Sequence, residues 1–362
     1  MQYLSDRHQA LRTRLKQNQG QWAQSIDPPG TPFQVICHDT PLMNDATAAG
    51  HRDRLAGQPF LLDGGPLFRV EICRVNTERL YLIMTAHHAM IDGWSSQRLM
   101  QDLTRHYAAL CGLEAHPDNT PPGIGDIALR QQARLAAVSE PLQAYRQAVS
   151  QARCPRIPSA GGGKQRGGPL ARLVITGYDG RTDSNGITPF VQGLCALTFA
   201  LQQFNLLDGP VRIGFPEAGR HDPDLEDSAA FLANTLLGSF DLAGQRTWPE
   251  ALQAIQTHVM QALSFRDIPA FWLQDLGWKG LDDRTDDLHV MVVPEQDFDW
   301  SLVLPGLQIT SLGQAPSTQA RVDLALTITS APSGVLSSVW NTTASESPPM
   351  SLNVWPALSA LA

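Results

Sequence analysis

His87-His88-Ala89-Met90-Ile91-Asp92-Gly93-Trp94-Ser95 lies in the first third of the chain, and the sequence on either side gives it a setting. Before it, Leu67 to Val75 and Leu80 to Ala86 are two strand-like runs joined by Asn76-Thr77-Glu78-Arg79, a pattern that predicts a β-hairpin. After it, Ser95 and Ser96 can cap a helix carrying Leu99, Leu103, Tyr107 and Leu110 at helical spacing, and Gly112 offers a stop. The histidines therefore fall at a strand end and Asp92-Gly93 in the turn before a helix. Strand ends feeding loops are common places for reactive side chains.

Adjacent histidines on a strand point to opposite faces, so only one can enter a given cleft. Imidazole is the side chain best matched to proton transfer near neutral pH, and Asp92 can orient a histidine or pair with a cation. Three other readings stand beside proton transfer. A His-His-Asp set can ligate a metal, although its spacing matches no helical metal motif. The pair can be core histidines without chemistry. A Ser-His-Asp hydrolase lacks its Gly-x-Ser-x-Gly elbow. Arg69 sits inside the apolar run Leu67-Phe68-Arg69-Val70, where a buried guanidinium needs a carboxylate. An Arg69–Asp92 pair would pin the turn that holds His88; the alternative is an arginine snorkelling to the surface.

Moving outward, residues 4–17 read as a basic helix, with Leu4, His8, Leu11 and Leu15 on one stripe. Gln34 to Cys37 predicts a short strand, and 45–56 a helix closed by a turn at Pro59 to Pro66. Residues 154–169, with Gly161-Gly162-Gly163 and Gly167-Gly168, read as a linker. It would separate one domain at 1–153 from another at 170–362. Beyond it come strands at Leu170 to Thr176 and Val211 to Phe215, and helices at Pro189 to Gln203 and 248–263. The fold class expected is α/β with mixed sheets in both halves.

The chain has 362 residues, enough for two cores, with 43% hydrophobic and 17% charged. A net charge of −8 with scattered basic residues argues against nucleic acid as a partner. Five cysteines without a CxxC pair suggest reduced thiols in a cytoplasmic protein. The amino terminus lacks a signal-peptide pattern, and no run of roughly 18 apolar residues offers a membrane span.

Taken in order, these segments resemble the condensation domains of nonribosomal peptide synthetases. His87 to Gly93 is similar to their HHxxxDG signature. Arg7-His8 to Thr13 resembles an RHExLRT stretch, and Gly65 to Arg69 the segment that supplies a structural arginine. Gly214 to Arg220 is similar to GxPxAGR, Phe231 to Leu236 to FxVNTL, and Arg266-Asp267-Ile268-Pro269 to a later DxP element. Related acyltransferases share HHxxxDG; the ordered set is more specific.

The resemblance implies two chloramphenicol-acetyltransferase-like subdomains in a V-shaped pseudo-dimer with a central tunnel. Carrier proteins would deliver donor and acceptor on phosphopantetheine arms, and the acceptor amine would attack the donor thioester to form an amide. No bound cofactor and no metal are implied, and a monomer is expected. His88 corresponds to the catalytic histidine, which accepts the amine proton or holds the amine in place. Gly93 leaves space near the thioester, and its N–H can polarise the carbonyl. Asp92 and Arg69 correspond to the structural pair, His87 to a supporting residue, and Asn234 to a tunnel position in the second subdomain.

Departures from the pattern accompany the match. The chain starts at the family's second conserved segment, so the first strand and helix are expected to be missing, leaving a sheet edge to cover. Gly123 to Ala128 replaces a YxDYA segment, and Arg284-Thr285-Asp286 is a poor copy of RDxSRN. No carrier serine motif or adenylation domain is present, so carriers are met in trans or the chain is part of a larger synthetase. Two alternatives stay open: an ester-forming relative with an alcohol acceptor, and a non-catalytic recruitment or docking domain.

Overall fold

The computed structural model describes residues 1–115, 119–136, 138–154, 170–175, 186–203, 209–269, 272–273, 290–295, 304–315, 322, 324–329 and 336–341. The expected linker beyond Cys154, and Arg284-Thr285-Asp286, lie outside them. Two compact units emerge. One comprises Met1–Arg130, Arg220–Leu232 and Phe298–Pro316; the other comprises Gln131–Gly219, Ala233–Asp297 and Ser317–Ala362.

The first unit opens with helix α1 (Gln2–Arg7) and a 3-10 turn at Gln9–Arg12. An antiparallel hairpin of β1 (Thr13–Asn18) and β2 (Gln21–Ile26) follows. The single helix expected over 4–17 is therefore corrected. Leu4, His8 and Leu11 are buried as the stripe requires, but His8 already has extended backbone, with φ −108° and ψ 107°. Gln19 and Gly20 then both take positive φ, 51° and 82°. Two such residues make the tight hairpin turn whose twist matches paired strands.

β3 (Val35–Asp39), β4 (Phe68–Arg74) and β5 (Leu80–Ala86) form a three-stranded sheet in the order β3-β4-β5. β3 runs parallel to β4, and helix α2 (Asp45–Ala56) lies in the connection between them. A capping box starts α2: Asn44 Oδ1 accepts from the Thr47 N–H at 3.0 Å, and Thr47 Oγ1 accepts from the Asn44 N–H at 2.9 Å. β4 and β5 make the expected hairpin, with Arg74 opposite Leu80. Its turn is closed by Asn76 Oδ1, which accepts from the N–H groups of Glu78 and Arg79, both at 2.8 Å. Helix α3 (Gly93–Leu110) follows the histidine turn and ends at Gly112, whose φ of 73° suits a residue without Cβ. Leu4, Leu11, Leu67, Val70, Met90 and Leu99 make the core of this unit.

Helix α4 (Ile124–Leu135) leads towards the second unit, which begins in earnest with α5 (Ser139–Ser150). Its sheet is mixed, in the order β6-β11-β10-β9-β7-β8. The strands are β6 (Leu170–Ile175), β7 (Val211–Glu217), β8 (Asn234–Phe240), β9 (Val290–Glu295), β10 (Leu324–Thr329) and β11 (Leu336–Asn341). β9 is parallel to both β10 and β7, and the remaining pairs are antiparallel. Helices α6 (Pro189–Gln203) and α7 (Trp248–Leu263) pack Leu194, Leu201 and Ile255 against Ile213, Leu236 and Phe240. Each such side chain contributes on the order of 1.5–3 kcal/mol by leaving water.

The packing boundary falls at Arg130, ahead of the expected 154–169 stretch. The reason is α5, whose Tyr145 and Val149 pack with Leu237 of β8. The Tyr145 hydroxyl accepts from the Leu237 N–H at 2.6 Å, and burial pushes the phenol pKa up, keeping it protonated. Among the described residues, no helix is long and apolar enough to cross a membrane.

Candidate active site

β5 ends at Ala86, and the chain then turns sharply. The His87 N–H donates to Leu67 O at 2.8 Å, and the Met90 N–H donates to His87 O at 3.0 Å. Met90 and Ile91 are buried and anchor the turn from below. The histidines thus sit just beyond the strand rather than on it, and they still part company. His87 meets the edge of Phe60, with centroids 5.8 Å apart, and its Nδ1 accepts from the Ala89 N–H at 3.2 Å. His88 faces Phe231 edge-on at 5.3 Å.

The His88 ring is oriented by one main-chain bond. Its Nδ1 lies 2.8 Å from Ile91 O. A carbonyl oxygen can only accept, so Nδ1 carries the hydrogen and the neutral ring presents Nε2 as a bare acceptor. The side chain is exposed, and Nε2 meets no hydrogen-bond partner among the described residues. This nitrogen is available to take a proton.

Asp92 is the N-cap of α3, three residues ahead of the serines expected to cap it. Its Oδ1 accepts from the Ser95 N–H at 2.9 Å, and Ser95 Oγ lies 2.7 Å from the same oxygen. Ser95 Oγ also accepts from the Ala230 N–H at 3.0 Å. Gly93 is therefore the first residue of the helix and is exposed. Its N–H is one of those that an α-helix leaves without an internal carbonyl, at the positive end of the helix dipole.

The expected Arg69–Asp92 pair does not form. Arg69 donates instead to Gln58 O and Pro59 O, at 3.3 and 2.6 Å, with its guanidinium 3.9 Å over the Phe60 ring. Its place opposite Thr85 on the hairpin directs it to the 58–60 turn, whereas Asp92 lies past the histidine turn at the head of α3. Arg69 still touches the site at one remove, because it stacks on the ring that supports His87.

The cation for Asp92 is Arg220. Its Nη1 and Nη2 reach Asp92 Oδ2 and Oδ1 at 2.7 and 3.0 Å, and both side chains are buried. Oδ2 also accepts from the Leu232 N–H at 3.0 Å. Burial alone would raise the Asp92 pKa; hydrogen bonds and charge from Arg220, with Ser95 and Leu232, bring it below the ordinary carboxylate value. The carboxylate is thus ionised, fully engaged and unfit as a proton acceptor, which leaves the proton chemistry to His88.

A second buried network braces α3 nearly three turns further along. Asp102 accepts from Arg7 Nε at 3.0 Å and from Arg98 Nε and Nη2 at 3.1 and 2.6 Å, and lies 2.8 Å from His8 Nε2. Arg98 also binds Asp227, whose other oxygen accepts from Asn119 Nδ2 at 2.6 Å. Trp94 Nε1 donates to Glu226 O at 3.0 Å. The segment Arg220–Leu232 is therefore stitched to α3 along its length.

The structure brings His87, His88, Asp92 and Gly93 together and adds Arg220, Ser95 and Phe231, which sequence reasoning missed. Arg220 and Phe231 each lay in a quoted segment, but their roles depend on contacts far along the chain. Asn234 belongs to the second unit. There its Nδ2 donates to Arg266 O and Ile268 O at 3.0 and 2.8 Å, joining β8 to the Arg266 to Pro269 element.

Comparison with known proteins finds similar domains. Residues 1–156 match the Condensation domain model. Malpinin synthetase of Mortierella alpina is 27% identical over 347 residues, 92% of this chain; the chain spans only 4% of that synthetase's length. Among solved structures, the X-domain from teicoplanin biosynthesis superposes with a TM-score of 0.78 at 18% identity, covering 94% of this chain and 80% of its own. The first condensation domain of the calcium-dependent antibiotic synthetase, in complex with a substrate analogue, gives 0.69 at 17%, covering 94% and 81%. The mixed α/β fold is the one these domains share. Residues 1–156 thus match the condensation-domain family, and the relatives aligned with most of the chain include a probable nonribosomal peptide synthetase.

Proposed function

We propose that the chain is a condensation-type acyltransferase that joins a carrier-bound donor thioester to the amine of a carrier-bound acceptor. The observation that carries this reading is the orientation of His88, with Nδ1 held by Ile91 O and Nε2 exposed. The amine nitrogen attacks the thioester carbonyl carbon, and Nε2 takes the proton that the nitrogen must lose. The oxyanion forms beside the Gly93 N–H at the head of α3. The C–S bond then breaks, the amide forms, and the proton leaves His88 with the departing phosphopantetheine thiolate. Asp92, held by Arg220, keeps the turn in place and takes no proton. In this reading no cofactor takes part.

Intact-protein mass spectrometry of two loaded carriers, with wild type and His88→Ala side by side, tests the proposal. Donor mass on the acceptor carrier with wild type alone is expected. Equal transfer by His88→Ala sinks the assignment, and transfer to an alcohol acceptor in place of the amine would make the enzyme ester-forming.

A second reading draws on the likeness to the teicoplanin X-domain, one structure of which is a complex with OxyB. In that reading the domain binds a partner protein and does no chemistry. Folded wild-type protein that transfers nothing across a panel of carriers would favour it.

A further inference from the structure

On the other side of the first unit's sheet, four side chains of metal-binding chemistry converge from three elements. Glu71 and Cys73 stand two residues apart on β4 and so share a face; their relative exposures are 8 and 0%. His38 of the parallel neighbour β3 is in register with Cys73. Helix α2 covers this face and contributes His51. One carboxylate oxygen, Glu71 Oε2, lies 2.8 Å from His51 Nε2 and 3.1 Å from His38 Nε2. The ligand atoms of His51, Glu71 and Cys73 all lie within 4.8 Å of one another.

We propose that His38, His51, Glu71 and Cys73 form a site for a Zn²⁺-class transition-metal ion that fastens β3 and α2 to β4. Two imidazole nitrogens, one carboxylate oxygen and one thiolate sulfur make a four-donor tetrahedral set. The thiol and imidazoles set it apart from the all-oxygen shells of Ca²⁺ and Mg²⁺. Metal–ligand bonds of about 2.0–2.3 Å give a tetrahedron with edges of roughly 3.3–3.7 Å. The two Glu71–histidine separations open by a few tenths of an ångström, while the thiol and the exposed His38 ring, which lies outside that group of three, close in. A bound cation offsets the Glu71 charge and takes the thiolate as the Cys73 proton is released. β3 gives the site a structural purpose. It is an edge strand, and four of its five residues are exposed, so its own side chains bury little to hold it.

Arg54 supplies an internal check. Its Nη2 lies 2.6 Å from His51 Nδ1, so His51 accepts there and carries its hydrogen on Nε2, towards Glu71. Metal at Nε2 moves that hydrogen to Nδ1 and displaces Arg54, an exposed side chain able to swing into solvent.

The test is Co²⁺ titrated into the full chain after EDTA treatment and desalting, followed by Zn²⁺ competition. One Co²⁺ per chain is expected, with tetrahedral d–d bands and a thiolate-to-cobalt charge-transfer band. Cys73→Ser should lose the charge-transfer band. His38→Gln, a change at an exposed side chain that spares the core, should weaken Zn²⁺ binding by at least about tenfold. Arg54→Ala should tighten it. No saturable binding by the folded chain, an octahedral spectrum without charge transfer, or an unchanged Kd in His38→Gln would each overturn the site.

Discussion

Arg220 grips both carboxylate oxygens of Asp92, at 2.7 and 3.0 Å, across 128 residues of chain. Neither side chain is appreciably exposed. Removing one partner leaves the other charged and buried, which costs about 3–5 kcal/mol. Arg220→Ala and Asp92→Ala should both lower the melting temperature sharply and transfer with it. Arg69→Ala should lower it far less, because Arg69 holds only two carbonyls and a ring face. Equal losses in the three variants would show that Arg69 sustains the turn as much as Arg220 does.

His88→Ala should behave in the opposite way. The ring is exposed and makes one hydrogen bond, so the melting temperature should stay close to wild type. Transfer should fall by about 10²–10⁴-fold, the usual worth of a positioned acid-base group. Single-turnover transfer between loaded carriers reads the rate, and calorimetry reads the fold.

Phe231 offers a subtler probe. An edge-to-face aromatic pair contributes about 0.5–1.5 kcal/mol, so Phe231→Ala should slow transfer by no more than about tenfold while His88 remains in place. Phe231→Tyr, which keeps the ring, should restore the rate. A loss as deep as that of His88→Ala would give Phe231 a larger part than support.

Acid should weaken the first unit in two steps. Burial holds the His8 pKa below its ordinary value, Asp102 opposes that shift, and the charges of Arg7 and Arg98 add to it. Below about pH 6.5 the unfolded chain therefore binds a proton that the folded ring refuses, and stability declines as pH falls. Asp92 and Asp102 come next. Burial would raise both, but Arg220 at Asp92, and His8 with Arg98 at Asp102, hold them below the ordinary carboxylate range. Their contribution is complete above about pH 4 and is lost as pH falls through the folded values. Urea melts across this range should show both limbs, and His8→Gln should flatten the upper one and shift the lower one as well, because His8 also supports Asp102.

Chelation separates the two sites of the first unit. The proposed transfer uses no metal, so EDTA should leave its rate unchanged well below the melting temperature. A lost rate with the fold intact would place a metal at His87, His88 and Asp92.

How far the sequence speaks for itself depends on the range of the interaction. The strand-turn-helix around His88 is local, and the hairpin, α2, α6 and α7 fall where periodicity and capping residues place them. The stretch 4–17 misled because three apolar positions at helical spacing fit a helical turn as well as a helix. Arg69 misled because an arginine in an apolar run demands a partner without naming one, and the 58–60 carbonyls with Phe60 met that demand. Arg220 was visible as the end of the Gly214-Phe215-Pro216-Glu217-Ala218-Gly219-Arg220 segment, yet nothing near it in sequence points to Asp92. The cluster of His38, His51, Glu71 and Cys73 has no motif spacing, since parallel strands and a crossing helix bring it together.

The first unit is discontinuous in the chain, and this dictates an order of events during synthesis. Asp92 and Arg98 leave the ribosome long before Arg220 and Asp227, with all of Gln131–Gly219 made in between. Until then Asp92 keeps its charge in water, and the turn bearing His88 lacks its brace. Contacts of such long sequence separation form slowly, and in the interval the apolar side of that turn, Met90 and Ile91, is open to wrong partners. The histidine turn is therefore made well before the segment that braces it, and is locked only once that segment has followed.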